Sequence, residues 1–341
     1  MSAVVSIITP SFNRADIVHE TAESIFKQTY PHWEWMIVDD GSTDNSWELL
    51  EQYAAKDSRV RIYKRDRDPK GACVCRNIAV QRSTGDYVMF LDTDDVLASF
   101  CLEQRVKAIQ ENPDCDFVIF PMLMFKQKPD DMKLLWNIDN GKDDIARILT
   151  GDAICQGTGT LWKKRSFIDI GMWDEELLLW QDIELHLRSL LGGMHYKKRL
   201  DLLPDVFLRI SEVSLSRTGF HSLPKFISRL RVFNLTASEM HRQGKIAAYR
   251  EEMRSMFADI FANAAYSNYF EQASEMLDMQ QQWQLFSVSE QRWFRNFLFT
   301  RKHKLYKIPM IEQYVTARMK KDIGREEGTL NKVIYKTEVH L

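Results

Sequence analysis

The sequence is poor in the features that would make it a secreted, membrane-spanning or nucleic-acid-binding protein. It has five cysteines, an odd number without a paired spacing pattern, so a disulfide framework is not expected. Cys73 and Cys75 form C-x-C, but no second Cys or His pair completes a zinc site. Net charge is only −2, without the basic excess of a general nucleic-acid binder. The longest apolar run, FVIFPMLMF at 117–125, is too short to cross a bilayer. The start, MSAVVSIITPSFNR, has no basic segment followed by an apolar one, so no signal peptide is expected and the chain is placed in the cytoplasm. There is no internal repeat and no low-complexity tract. What remains is 341 residues, 45% of them hydrophobic, enough for about two domains with packed cores.

The first hundred residues alternate strand and helix patterns. VVSIIT (4–9), WMIVDD (35–40), RVRIYK and YVMFL read as strands, and segments with apolar residues at helical spacing lie between them. Near-continuous apolar strands with intervening helices imply a mostly parallel, doubly wound α/β sheet covered on both faces. Ligands bind such sheets at the strand carboxyl ends, where Pro10, Asp39 and Asp92 fall. DFVIFPMLMF reads as one further strand, and LLLWQDIELHLRSLLGG as a helix stopped by Gly192–Gly193. From residue 223 to 341 the pattern is all-helical, with a capping box at Ser287/Glu290 and a last helix opened by Pro309 and running towards Gly324.

Two acidic clusters carry the chemistry. VDDGSTD ends the second strand; Asp39 there suits a base or ribose edge, or simply caps an Asp-Gly turn. GDYVMFLDTDDVL crowds Asp92, Asp94 and Asp95 around Thr93; an extended Asp92-x-Asp94 places two carboxylates on one side, a donor set for Mg²⁺ or Mn²⁺ completed by water and phosphate. Between the clusters, Gly71 precedes a helix whose first turns carry Arg76 and Asn77, and a guanidinium there suits a diphosphate. The loop TPSFNR after the first strand has neither the G-x-G-x-x-G of a dinucleotide dehydrogenase nor the Gly-rich loop of a nucleotidyltransferase.

Taken together, VSIITPSFNR, WMIVDDGSTD, GACVCRNIAVQRSTGDYVMFLDTDD and DIGMWDEELLLWQDIELHLRSL resemble the successive signatures of the family 2 glycosyltransferases across roughly residues 4–220. The resemblance implies a GT-A catalytic domain over 1–222, a nucleotide-diphosphate-sugar donor (UDP-linked), Mn²⁺ or Mg²⁺, and inversion at the anomeric carbon. The acceptor it implies is a glycan or lipid-linked hydroxyl in cell-surface polysaccharide or glycolipid synthesis. It implies nucleotide contacts from Pro10, Phe12, Asn13, Arg14, Asp39, Gly71, Arg76, Asn77, Asp92 and Thr93. Asp94 and Asp92 would serve the metal, and Gly157, Thr158, Gly159 and Gln181 the acceptor or sugar side. Asp182 is the implied catalytic base. Where members commonly show Glu-Asp, this chain has Gln181-Asp182, a lost charge that argues for a lower Asp182 pKa. Arg209-Ile210-Ser211 replaces the usual Arg-x-His; His221 is the nearest substitute, or a structural histidine. These departures leave a degenerate, non-catalytic nucleotide- or partner-binding member as the alternative.

The resemblance does not extend to the helical module 223–341. Within it, residues 292–321 hold nine Lys/Arg against one Glu, interleaved with aromatics. That mixture suits peripheral contact with the inner face of an anionic membrane, packing on the catalytic domain, or a homodimer interface.

Overall fold

The computed structural model describes residues 2–129, 131–210, 219–311 and 313. Ser211, residues 314–321 of the basic segment and most of the helix expected from Pro309 lie outside them.

The chain opens β1 (Val5–Ser11), α1 (Val18–Phe26), β2 (Trp33–Asp39), α2 (Ser46–Lys56), β3 (Val60–Lys64), α3 (Ala72–Arg82) and β4 (Tyr87–Phe90). It continues with β5 (Val96–Leu97), α4 (Cys101–Gln110), β6 (Phe117–Ile119), β7 (Met122–Phe125), β8 (Leu134–Leu135), α5 (Asp144–Leu149), β9 (Thr160–Lys163) and α6 (Lys164–Asp169). Then come α7 (Gln181–Leu191), β10 (Tyr196–Lys198), β11 (Val206–Arg209), α8 (Leu223–Arg242), α9 (Arg250–Tyr266), α10 (Phe270–Met279) and α11 (Val288–Lys302).

Seven strands form one sheet in the order β10-β6-β9-β4-β1-β2-β3, and β5-β11-β7-β8 form a smaller second sheet. The strands from β3 to β4 are mutually parallel, whereas β9 runs antiparallel to both its neighbours. Every residue of β2 is buried, as expected of a strand covered on both faces. The mostly parallel α/β sheet read from the sequence is thus the fold.

Two segments differ from their sequence pattern. DFVIFPMLMF is two strands, because Pro121 lacks the N–H a continuous ladder needs; β6 stays in the large sheet and β7 enters the small one. The helix expected across 177–193 begins only at Gln181, since Trp180 is held left-handed at φ 63°.

The C-terminal helices bury an aromatic cluster, with Phe294 edge-on to Phe261 and Phe286, both at 4.9 Å. That cluster is continuous with the sheet core rather than separate from it.

Candidate active site

The site lies where β1, β2 and β4 end. After β4 the chain turns, with the Asp95 N–H donating to the Asp92 carbonyl at 3.2 Å. The acidic tip is therefore a turn, not the extended segment expected, and its carboxylates diverge into different roles. Asp95 points inward and is buried: its Oδ1 accepts from the Arg209 N–H (3.0 Å) and its Oδ2 from the Thr158 hydroxyl (3.3 Å). Burial, then the charges of Asp94 and Asp92, push its carboxyl well above the usual range. Thr93 is buried beside it. Asp94 is also raised, by burial first and then by Asp92, with Arg14 and Arg209 pulling it back. Asp92 is the more exposed carboxylate, and Arg76 Nη2 donates to its Oδ1 at 2.6 Å.

Among the described residues no group of three or more His, Cys, Asp and Glu converges as a closed metal cage. Oxygen donors alone, with Asp94 pushed up by burial and then by its neighbour's charge, nonetheless fit a hard divalent cation whose other ligands come from substrate phosphate and water. Asp94 and Asp92 are the residues that would hold it.

Arg76 links this tip to the opposite wall. Its Nη1 donates to Gln181 Oε1 at 3.0 Å, and its guanidinium lies 5.1 Å from the centre of the Trp173 ring. Its buried Nε has no partner. Gly71, at φ 151°, starts α3 in a backbone conformation that favours glycine, which is how Arg76 is brought under the tip.

Asp182 sits in the first turn of α7, and its Oδ1 accepts the Gly157 N–H at 2.7 Å. It is not the helix cap, a position taken by Trp180. Burial raises its carboxyl above the ordinary carboxylate value, against the pull of Arg76 and the Gly157 N–H. The direction expected from Gln181 alone is thus reversed, because desolvation outweighs the missing neighbour charge.

Gly157–Gly159 form a single 3-10 turn, and close packing fixes both glycines. A Cβ on Gly157 would sit 3.2 Å from Asp182 Oδ1 and from the Trp173 ring; on Gly159 it would meet Met122 Sδ at 2.5 Å. Beneath the turn, Arg105 and Asp205 form a fully buried ion pair, and Arg105 Nη1 donates to the Thr158 carbonyl at 2.7 Å.

Two expected nucleotide contacts already carry hydrogen bonds within the protein. Asn77 is buried; its amide donates to the Trp173 carbonyl (2.8 Å) and Glu175 (3.0 Å) and accepts the Trp173 N–H (3.1 Å). It holds a loop rather than facing the cleft. Asp39 Oδ1 accepts from the Gly41 and Ser42 N–H groups, both at 2.9 Å, and Oδ2 takes the Ser42 hydroxyl at 2.5 Å. The turn use of Asp39 is therefore present, leaving part of Oδ2 for a ligand.

The first-strand loop lies beside the acidic tip, with Arg14 near enough to act on Asp94. Pro10 pairs with Val38 in the sheet, and Asn13, left-handed at φ 51°, ties to Ser42 and Thr43. Phe12 lies under the Lys70 ammonium at 3.7 Å, and Arg14 lies close enough to Asp94 to draw its pKa down. His221 does not substitute for a site histidine: its ring pairs with Asn263 at 2.7 Å and its carbonyl accepts from Tyr269.

Residues 6–171 match the model of glycosyl transferase family 2. That segment, just under half of the chain, is similar to this family. It is 41% identical over 114 residues to the putative teichuronic acid biosynthesis glycosyltransferase TuaG of Bacillus subtilis, covering 33% of this chain and 44% of that protein. It is 36% identical over 110 residues to the Escherichia coli UDP-Glc:alpha-D-GlcNAc-diphosphoundecaprenol beta-1,3-glucosyltransferase WfgD, covering 32% and 42%. The matched stretch thus spans less than half the length of these relatives. Residues 1–349 of S. aureus TarS, solved in complex with UDP-GlcNAc, share the fold at TM-score 0.66 and 17% identity, covering 95% of this chain and 93% of that one. The Pyrobaculum calidifontis mannosyltransferase PcManGT, solved with GDP-Man and Mn²⁺, aligns at TM-score 0.50 and 17% identity over 89% and 87%. The likeness to TarS covers 95% of this chain and so includes its helical C-terminal region.

Sequence reasoning missed the contributions of Arg209, Trp173, Lys70 and the Arg105–Asp205 pair. Arg209 alone bonds Glu20 (2.6 Å), the Asp94 carbonyl (3.1 Å) and Asp95. Its only sequence signal was its place in Arg209-Ile210-Ser211, of which Ser211 is not described.

Proposed function

We propose that the protein is an inverting glycosyltransferase that moves a sugar from a nucleotide-diphosphate donor, UDP-linked, to a hydroxyl of a glycan or lipid-linked acceptor in cell-surface polysaccharide or glycolipid synthesis. One observation carries the reading: Arg76 spans the gap between Asp92 on the acidic tip and Gln181, beside Asp182. The sugar's anomeric carbon would sit between the two walls. The acceptor oxygen forms its bond to that carbon as the bond to the diphosphate breaks, and the hydroxyl proton passes to Asp182. A carboxyl raised by burial is a better base at neutral pH than an exposed one. Arg76 faces the departing nucleoside diphosphate, and Arg14 and Lys70 add positive charge at the cleft mouth. A Mn²⁺ or Mg²⁺ ion held by Asp94 and Asp92 would supply the remaining charge neutralisation. The names of TuaG and WfgD support a surface-polymer role, a UDP donor and a lipid-diphosphate acceptor, and the Mn²⁺ complex of PcManGT supports metal use.

We assign residues 1–222 as the catalytic domain and the helical module as the part that brings it to its acceptor, at the cytoplasmic face of a membrane. On α11, Arg292, Arg295, Phe299 and Lys302 recur at helical spacing on the solvent side, and Lys304, Lys307, Ile308 and Met310 extend the exposed surface. No helix among the described residues is long and apolar enough to cross a bilayer. Self-association through the same surface is the alternative, separated by vesicle sedimentation against analytical ultracentrifugation.

The test is a transfer assay with a panel of UDP-sugars and undecaprenyl-diphosphate saccharides. Asp182→Asn is expected to lower kcat by roughly 10²–10⁴-fold with donor binding retained. Full activity in Asp182→Asn, or no product from any pair, would overturn the reading.

A further inference from the structure

The base helix α7 is entered through residues 172–180, and this lead-in ends on Trp180 in the left-handed conformation. A bulky residue stays there only where its surroundings over-determine it. The catalytic domain holds the loop from one side: Asn77 brackets the Trp173 backbone, and Glu175 Oε1 accepts from Arg67 at 2.6 Å. The opposite side is held by α8, which lies beyond the segment matching the family model. The buried Ser228 hydroxyl accepts the Leu178 N–H at 2.7 Å. Arg231 Nε donates to Asp174 Oδ2 at 2.7 Å, and its Nη1 pairs with Glu176 at 2.7 Å. Asp174 in turn accepts the Glu176 N–H at 3.0 Å, and Gln181 Nε2 donates back to the Leu177 carbonyl at 2.9 Å. The chain of contacts therefore runs from α8 through 174–178 to Gln181, one residue from Asp182.

We propose that α8 is a positioning element of the active site, with Ser228 and Arg231 clamping the 172–180 loop so that Asp182 meets the acceptor hydroxyl. Neither residue touches substrate; both act through the loop. The proposal rests on Asp182 being the base. A carboxylate displaced by about 1 Å loses on the order of 10²-fold in rate, so the clamp governs turnover rather than donor binding, whose residues lie on the other wall.

The experiment compares Ser228→Ala, Arg231→Met and the conservative Arg231→Lys with the parent chain. Hydrogen exchange is read by mass spectrometry over 172–183 and over 72–82, alongside kcat for transfer and the nucleotide Kd. Faster exchange at 172–183 with 72–82 unchanged is expected in Ser228→Ala and Arg231→Met. In the same variants kcat is expected to fall about tenfold to a hundredfold with Kd unchanged, and Arg231→Lys to recover most of both losses. Unchanged exchange at 172–183 would overturn the clamp. Loosened exchange with undiminished kcat would overturn its positioning role, and a parallel loss of Kd would reduce Ser228 and Arg231 to general structural support. If the parent chain transfers no sugar, the glycosyltransferase reading fails instead, and the exchange result still decides whether α8 holds the loop.

Discussion

Arg105→Met isolates the support beneath the site. Arg105 and Asp205 are both wholly buried, joined by Nε–Oδ2 at 2.9 Å and Nη2–Oδ1 at 2.7 Å, a bidentate geometry that satisfies both charges. Methionine nearly matches the arginine stem in shape but leaves Asp205 with Gln104, at 3.2 Å, and the weakly donating Cys101 thiol as side-chain donors. Breaking one side of such a pair costs about 3–5 kcal/mol, because a buried carboxylate must then stay charged without a partner or take up a proton. The Thr158 carbonyl also loses its donor, a cost of roughly 1–3 kcal/mol that overlaps with the first rather than adding to it. Against a typical total of about 5–15 kcal/mol, the variant should lose roughly a fifth or more of its stability. Replacing both partners, Arg105→Met with Asp205→Leu, removes the stranded charge and is expected to recover most of the loss. Urea unfolding followed by tryptophan fluorescence measures both, with m-values compared to confirm that the same transition is read. A single variant within about 1 kcal/mol of the parent, or a double variant no more stable than the single, would refute this reasoning.

Two pH dependences follow from the named groups. Asp182 must be ionised to accept a proton and its carboxyl is raised, so the acid limb of kcat should lie above the ordinary carboxylate range. Gln181→Glu, which sets a second carboxylate on Arg76, should move that limb further up; a limb at or below the ordinary range would contradict the assignment. Glu290 is held down to about 2 from 4.5, chiefly by Arg254 and with help from the Ser287 cap. A depressed carboxyl stabilises above its unfolded pKa and loses that contribution as pH falls through the folded one, here between 4.5 and about 2. Solvent screens this partly exposed pair, so Glu290→Gln should cost on the order of 1 kcal/mol at pH 7, with the gap to the parent closing below pH 4.5, as followed by thermal unfolding.

Much of the sheet and of the acidic walls was legible because both are written locally. A β-branched run meeting Asp-Gly or Asp-x-Asp signals a strand end, and β2 and β4 end where those signals fall. The stop of α7 at Gly192–Gly193 was legible for the same reason, whereas its start at Gln181 was not. What the sequence hid is long-range. Asn77 reaches Trp173, 96 positions on, so its amide reads equally well as a ligand donor until the fold brings the loop to it. Arg105, in CLEQRVKAIQ, reads as a solvated charge on a helix; only Asp205, 100 positions away, makes it a buried one. Trp180 is left-handed with neither Gly nor Asn to announce it, a backbone conformation imposed by packing at the entrance to the base helix.

The most direct measurement is calorimetric titration of the protein with UDP, dTDP and GDP, each in Mn²⁺ and again in EDTA. The expected result is binding of UDP that needs the metal and is lost in Asp94→Ala. Binding of no nucleotide with Mn²⁺ present would contradict the account, and the acidic tip would then serve some other ligand.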